Sequence, residues 1–213
     1  MKDKKSLIIN ILIIAFTIMC SLFMYTGFKF MPAETLLESS SNSMFKFFTV
    51  DSNILMALVS FIYVLYKYIL KNDNKVIYIL KFIGTSAISL TFIVTLLFLA
   101  PSYGFYSMYN NNNLFFHLII PVLSIIDYIF FNKYDNKYKY AILGIIPMFL
   151  YSFYYTGNIL AHLNDGGLTF KYDFYGFLQG NLNNIFIVIP IIYLVTYLIS
   201  LLLVYLNKKI LKK

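Results

Sequence analysis

A threonine hydroxyl becomes a nucleophile only when a nearby base takes its proton, and histidine, with an ordinary pKa of about 6.5, suits that role. The chain has two histidines, His117 and His162. Thr49 stands in the segment Phe47-Phe48-Thr49-Val50-Asp51-Ser52-Asn53, with Asn53 one helical turn further on. His117 stands in Phe116-His117-Leu118-Ile119-Ile120-Pro121, followed by Ser124, Asp127 and Tyr128. At helical spacing Pro121, Ser124 and Tyr128 fall within about 40° of the direction of His117, so one face carries an imidazole, a proline kink, a hydroxyl and a phenol. Thr49 as nucleophile, His117 as general base and Asn53 as donor to a developing oxyanion would together suit ester hydrolysis.

Other polar groups accompany these. Asp127 lies ten residues beyond His117, about 15 Å along the helix, too far to orient the imidazole. It is expected to bond a Ser, Tyr or Lys of a neighbouring helix. Tyr151, Tyr155, Asn158 and His162 repeat at helical spacing, with Asp165 just beyond. His162 taken alone suits an amphipathic residue at a membrane interface. Two histidines without a short His/Glu spacing predict no metal site. The lone Cys20 excludes an intrachain disulfide, and no cofactor motif is present.

The elements that must position these residues follow from composition. Of 213 residues 60% are hydrophobic and only 12% charged. A soluble domain carries about 25% charged residues, so this chain cannot cover a water-facing surface. An all-α, polytopic membrane protein is predicted, a single domain of six transmembrane helices near 7–28, 47–70, 76–100, 114–132, 140–160 and 184–206. Each run approaches the roughly 20 apolar residues needed to cross the hydrocarbon layer, where the backbone must bond within its own segment. The first run is too long for a signal-peptide core and lacks a small-x-small cleavage site, which predicts a retained signal anchor. Gly84, Ala87 and Ser89 make the third span a close-packing helix.

All 17 basic residues are lysine. With the N-terminus inside, fourteen of them, Lys81 and Lys208, Lys209, Lys212 and Lys213 included, fall on the cytoplasmic side. Only Lys29, Lys46 and Lys171 fall opposite. The positive-inside rule therefore predicts cytoplasmic termini in a cell membrane. The net charge of +8 is absorbed by this asymmetry, which removes the case for a nucleic-acid partner and leaves membrane lipids. Glu34, Glu38, Asp51, Asp165 and Asp173 gather on the outer side, with Asp127 alone expected inside the membrane. The outer connections are the longer ones and are read either as solvated linkers or as walls of a site.

The segment Phe48-Thr49…Ser52-Asn53 resembles the opening of the second helix in a group of bacterial six-helix membrane proteins. His117…Pro121…Asp127-Tyr128 resembles their fourth helix. That group is distantly similar to the eukaryotic androgen-induced/FAR-17a family, membrane hydrolases that use a Thr and a His to cleave fatty-acid esters of hydroxy fatty acids. The resemblance spans helices two to five and implies Thr49 and His117 as the catalytic pair and a lipid or fatty-acyl ester as substrate. The segment Tyr172-Asp173-Phe174-Tyr175-Gly176-Phe177-Leu178 lacks the prolines common in the bacterial group. Two other readings compete. In one, Thr49, Asn53, His117 and Tyr155 form a packing network or bind an amphiphile without catalysis. In the other, less supported by the absence of repeats, the chain transports a small solute.

Overall fold

A computed structural model describes residues 2–31, 39–72, 74–134 and 137–211. Glu34, Glu38, Lys212 and Lys213 lie outside the described residues. Six helices are long and apolar enough to cross a membrane: α1 (Asp3–Thr26), α2 (Phe48–Ile69), α3 (Lys75–Tyr103), α4 (Asn111–Phe131), α5 (Tyr138–Ala161) and α6 (Leu182–Leu211). No strand occurs among the described residues. This is the architecture of a multi-pass membrane protein. Large apolar side chains such as Leu58, Phe61, Leu97, Phe153, Ile191 and Leu198 project outward, as lipid-facing positions require.

The helix ends follow from local chemistry. Asn74 caps α3 by accepting the Val76 N–H at 2.9 Å, and Asn181 caps α6 by accepting the Asn183 N–H at 3.0 Å. Each satisfies one donor that a helix start leaves orphaned. Wider π turns occur at Thr95–Leu99 and Phe115–Ile119. Each lies just before a proline, Pro101 or Pro121, whose missing N–H frees a carbonyl one turn back. His117 therefore sits on a widened turn. Pro147 falls where α5 changes from a 3₁₀ start to regular helix.

The most enclosed element is α3, which packs against α2, α4, α5 and α6, while α1 lies against α2 and α4. Small residues let α3 do this. The Met56 side chain lies against Gly84, 3.1 Å from where a Cβ would stand. Gly144 of α5 approaches so closely that any side chain there would collide with the hydroxyls of Ser86 and Ser200.

Toward the end of the bundle that carries the termini, α3 and α4 are joined by charge. Lys81 is fully buried and paired with the fully buried Asp127. Asp127 also accepts from Ser6 Oγ at 2.7 Å and Asn10 Nδ2 at 2.8 Å, both on α1. The Lys81 ammonium lies 3.6 Å from the centre of the Tyr63 ring of α2. Four helices thus converge on one ion pair. This corrects the assignment of Lys81 to the lysines of the cytoplasmic surface, and Asp127 is not the lone charge expected within the spans. The helical position of Lys81, six residues into α3, was visible in the sequence, but its partner on α4 was not. Nearer the surface Asp3 pairs with Lys133 at 2.9 Å and Lys67 at 3.4 Å.

Removing one member of such a pair strands a charge away from water, at a cost of about 3–5 kcal/mol. Asp127→Ala should therefore lower the melting temperature in detergent sharply. The double variant Lys81→Met/Asp127→Leu should recover most of the loss, because no charge is left unpaired. Equal melting temperatures for Asp127→Ala and the parent would rule out this role for the pair.

Candidate functional site

At the other end of the bundle, α2 opens at Phe48 and Thr49 is its second residue. The first backbone N–H groups of a helix lack a partner four residues back and carry the positive end of the helix dipole. Phe48 N–H donates to the Tyr175 hydroxyl at 2.9 Å. Tyr175 belongs to the connection between α5 and α6, and burial pushes its phenol up to about 12. It therefore remains a neutral hydroxyl beside Thr49 at physiological pH.

His117 is nine-tenths buried, and its Nδ1 lies 2.7 Å from the Met108 carbonyl oxygen. A carbonyl can only accept, so Nδ1 carries the proton and Nε2 keeps its lone pair. The Tyr109 ring stands edge-on to the imidazole at 6.4 Å. Thr49 and His117 line one small cavity of about 20 Å³, walled by Val50, Leu99, Met108, Phe116 and Tyr175. No hydrogen bond joins them among the described residues.

Asn53 sets this arrangement. Its Nδ2 donates to the Thr49 carbonyl at 2.7 Å and to the Phe116 carbonyl at 3.0 Å. One amide thus ties α2 to α4 beside both candidate residues and holds them at one height. Both of its N–H groups are engaged by carbonyls, so Asn53 cannot be the oxyanion donor expected from its spacing. Tyr175, whose hydroxyl accepts from Phe48 N–H, and Asn113 are the further polar residues in the lining of the cavity. Ser52 bonds the Thr91 hydroxyl at 2.8 Å and so fixes α2 against α3.

A second, apolar cavity of about 40 Å³ shares Thr49, Leu99 and Tyr175 with the first and extends past Leu90, Met148 and Ile192. A groove of about 420 Å³ between α2 and α5 shares Phe48 and Tyr151 with that cavity and contains Asp51. Thr49 therefore lines the apolar cavity as well as the one it shares with His117.

The remaining expected residues lie elsewhere. Ser124 donates to the Ile120 carbonyl at 2.8 Å within α4, and Asp127 belongs to the ion pair at the opposite end. Tyr155 lines the apolar cavity and donates its hydroxyl to Asp173. Asn158 Nδ2 donates to the Tyr172 carbonyl at 3.3 Å. His162 stacks on Tyr172 at 4.0 Å, donates from Nδ1 to the Asn158 carbonyl, and does not line the cavity of Thr49 and His117. Among the described residues no group of three His, Cys, Asp or Glu could hold a metal ion.

Tyr175, Met108 and Asp173 were not singled out by their sequence. Asp173 is buried and accepts from Tyr155, from Phe177 N–H at 3.1 Å and from Leu178 N–H at 2.9 Å. It pins the connection between α5 and α6, whose Phe174, Tyr175 and Leu178 are buried over the site. The signal was present in the unusual density of aromatics between Phe170 and Phe177 for a solvated linker.

Asp173→Ala should release this cap. Trypsin cleavage after the exposed Lys171 should then accelerate by at least about tenfold, since three hydrogen bonds to a carboxylate are lost. An unchanged cleavage rate would mean that the aromatic packing holds the segment without the acid.

Compared with protein-family models, curated proteins and solved structures, the chain finds no match in any of the three.

Proposed function

We propose that the protein hydrolyses a lipid or fatty-acyl ester at Thr49 and His117. The observation that supports this reading is the shared cavity, whose lining includes both a hydroxyl at a helix N-terminus and an imidazole whose Nδ1 is held by a carbonyl, leaving Nε2 to take a proton. Nε2 takes the Thr49 proton as Oγ1 attacks the ester carbonyl. The Tyr175 hydroxyl donates to the oxyanion. Collapse of the tetrahedral intermediate expels the alcohol, which receives its proton from His117. Water, deprotonated in turn by Nε2, then releases the acid and regenerates Thr49. The resemblance of the Phe48-Thr49…Ser52-Asn53 and His117…Pro121 segments to a group of bacterial six-helix membrane proteins, itself distantly similar to the androgen-induced/FAR-17a family, agrees with this chemistry. The engaged amide of Asn53 favours the alternative, a packing network that binds an amphiphile without cleaving it.

The two readings separate in one experiment. Purified protein should hydrolyse a fluorogenic long-chain ester, and Thr49→Ala and His117→Ala should each lower turnover by about 10²–10⁴-fold, the usual worth of a positioned base or its nucleophile. Thr49→Ser should retain activity, and all three variants should elute as the parent does. Turnover undiminished in both alanine variants would leave the non-catalytic reading in place.

The same reading puts the site on the outer side of a cell membrane, with the termini cytoplasmic and the lysines near them against anionic lipid. In a Cys20→Ala background, a membrane-impermeant maleimide added to intact cells should label Gln179→Cys. Lys71→Cys should react only after permeabilisation. The reverse pattern would invert the proposed topology.

A further inference from the structure

The groove between α2 and α5 holds an acid that the protein does not partner. Phe48, Asp51, Ser52 and Leu55 line it from α2, at spacings of three, four and seven residues that put their side chains on one helix face. Leu150, Tyr151 and Tyr154 line it from α5 at the same kind of spacing, and Phe45 adds a fourth aromatic ring. At about 420 Å³ the space is within the range of small-molecule sites. Asp51 is the sole charged side chain in this lining among the described residues.

The polar groups beside Asp51 are committed elsewhere. Ser52 Oγ donates to the Thr49 carbonyl at 3.1 Å and meets the Thr91 hydroxyl at 2.8 Å. The Tyr151 hydroxyl donates to the Lys46 carbonyl at 2.5 Å. Lys46 Nζ lies over the Phe47 and Phe174 rings, neither of which lines the groove. No hydrogen bond or ion pair reaches the Asp51 carboxylate from the described residues.

The acid also lies deep. Thr91, brought level with Ser52 by their bond, stands twelve residues, about 18 Å, before the end of α3. Tyr151 stands ten residues, about 15 Å, before the end of α5. The dipole of α2 favours an acid in its first turn. It does not remove the cost of a carboxylate without donors inside the spans.

A cation supplied by the membrane phase would remove that cost. A metal ion needs several oxygen ligands and finds one carboxylate here, with no His, Cys, Asp or Glu cluster among the described residues. An organic ammonium needs only one opposite charge, and it is attracted to aromatic faces. An attached alkyl chain is matched by Leu55 and Leu150.

We propose that the groove between α2 and α5 binds an amphiphilic organic cation, its ammonium head against Asp51 and the aromatic rings and its alkyl chain along Leu55 and Leu150. The proposal is independent of the hydrolase reading, because neither Thr49 nor His117 lines the groove.

The test uses the full chain in dodecyl maltoside at pH 7 and a tetradecyltrimethylammonium probe carrying a diazirine in its chain beside the head. Photolabelling should map to residues 45–55 or 147–154. It should be displaced by dodecyltrimethylammonium or by dodecylamine at concentrations at least about tenfold below dodecanol, the least that one paired charge is worth. Displacement by the trimethylammonium compound ahead of the amine identifies a quaternary head held by the rings. The reverse order identifies a hydrogen-bonded primary amine. Asp51→Asn should weaken labelling by a similar factor and Asp51→Glu should retain it, a pattern that an acid serving only the helix dipole would not produce. Independently, Leu150→Trp, which fills the groove and leaves the acid in place, should weaken labelling. Equal displacement by dodecanol would overturn the proposal, as would labelling that maps outside the two segments or is indifferent to both Asp51→Asn and Leu150→Trp. The comparison with dodecanol is made on the parent chain, so a variant that fails to fold does not block it.

Discussion

An ammonium group and a carboxylate with no access to water face one another where α1, α2, α3 and α4 meet. Each would be intolerable alone in an apolar bundle, so the position of either helix constrains the other. Lys81 fixes the rotation of α3 and Asp127 that of α4. Ser6 and Asn10 bring α1 onto the same acid, and the Tyr63 ring of α2 covers the cation. Apolar packing between helices in lipid is weakly directional, because lipid tails are as apolar as leucine. A buried ion pair with named donors supplies the direction that packing lacks.

Once α3 and α4 are oriented there, the opposite end of the bundle inherits the consequences. His117 lies ten residues before Asp127 on α4, so the rotation that aims the acid at α3 also helps aim the imidazole inward. The π turn at Phe115–Ile119 adjusts that aim, and Asn53 matches the height of α2 to it through the Phe116 carbonyl. The cap between α5 and α6 then closes over the N-terminus of α2, held by Asp173 and by the hydrogen bond from Phe48 to Tyr175. Rigid helices supply Thr49 and His117 to the shared cavity, and a connection supplies Tyr175.

Particular residues show where sequence reading reached and where it ended. The spans were legible because lipid leaves few alternatives to a helix, and the observed bounds differ from those expected by a few residues at each end. The buried face of α4, with Pro121, Ser124 and Tyr128 beside His117, was legible from helical spacing. The roles of individual groups on such faces were not. Lys81 was counted with the cytoplasmic lysines under the positive-inside rule, whereas Asp127 on another helix makes its burial tolerable. Asn53 was matched to an oxyanion by its distance from Thr49, whereas two carbonyls, one of them on α4, had already claimed its hydrogens.

The sequence by itself determined the number of helices, their apolar character and the residues able to take part in acid–base chemistry, because these depend on composition and on spacing within one segment. Only the tertiary structure decided which of those residues meet. It brought Thr49, His117 and Tyr175 around one space and left His162, Ser124 and Asp127 outside it. The reason is physical: a hydrogen-bond donor or a charge is worth what its partner allows, and here the partners lie on other helices, far away in the chain.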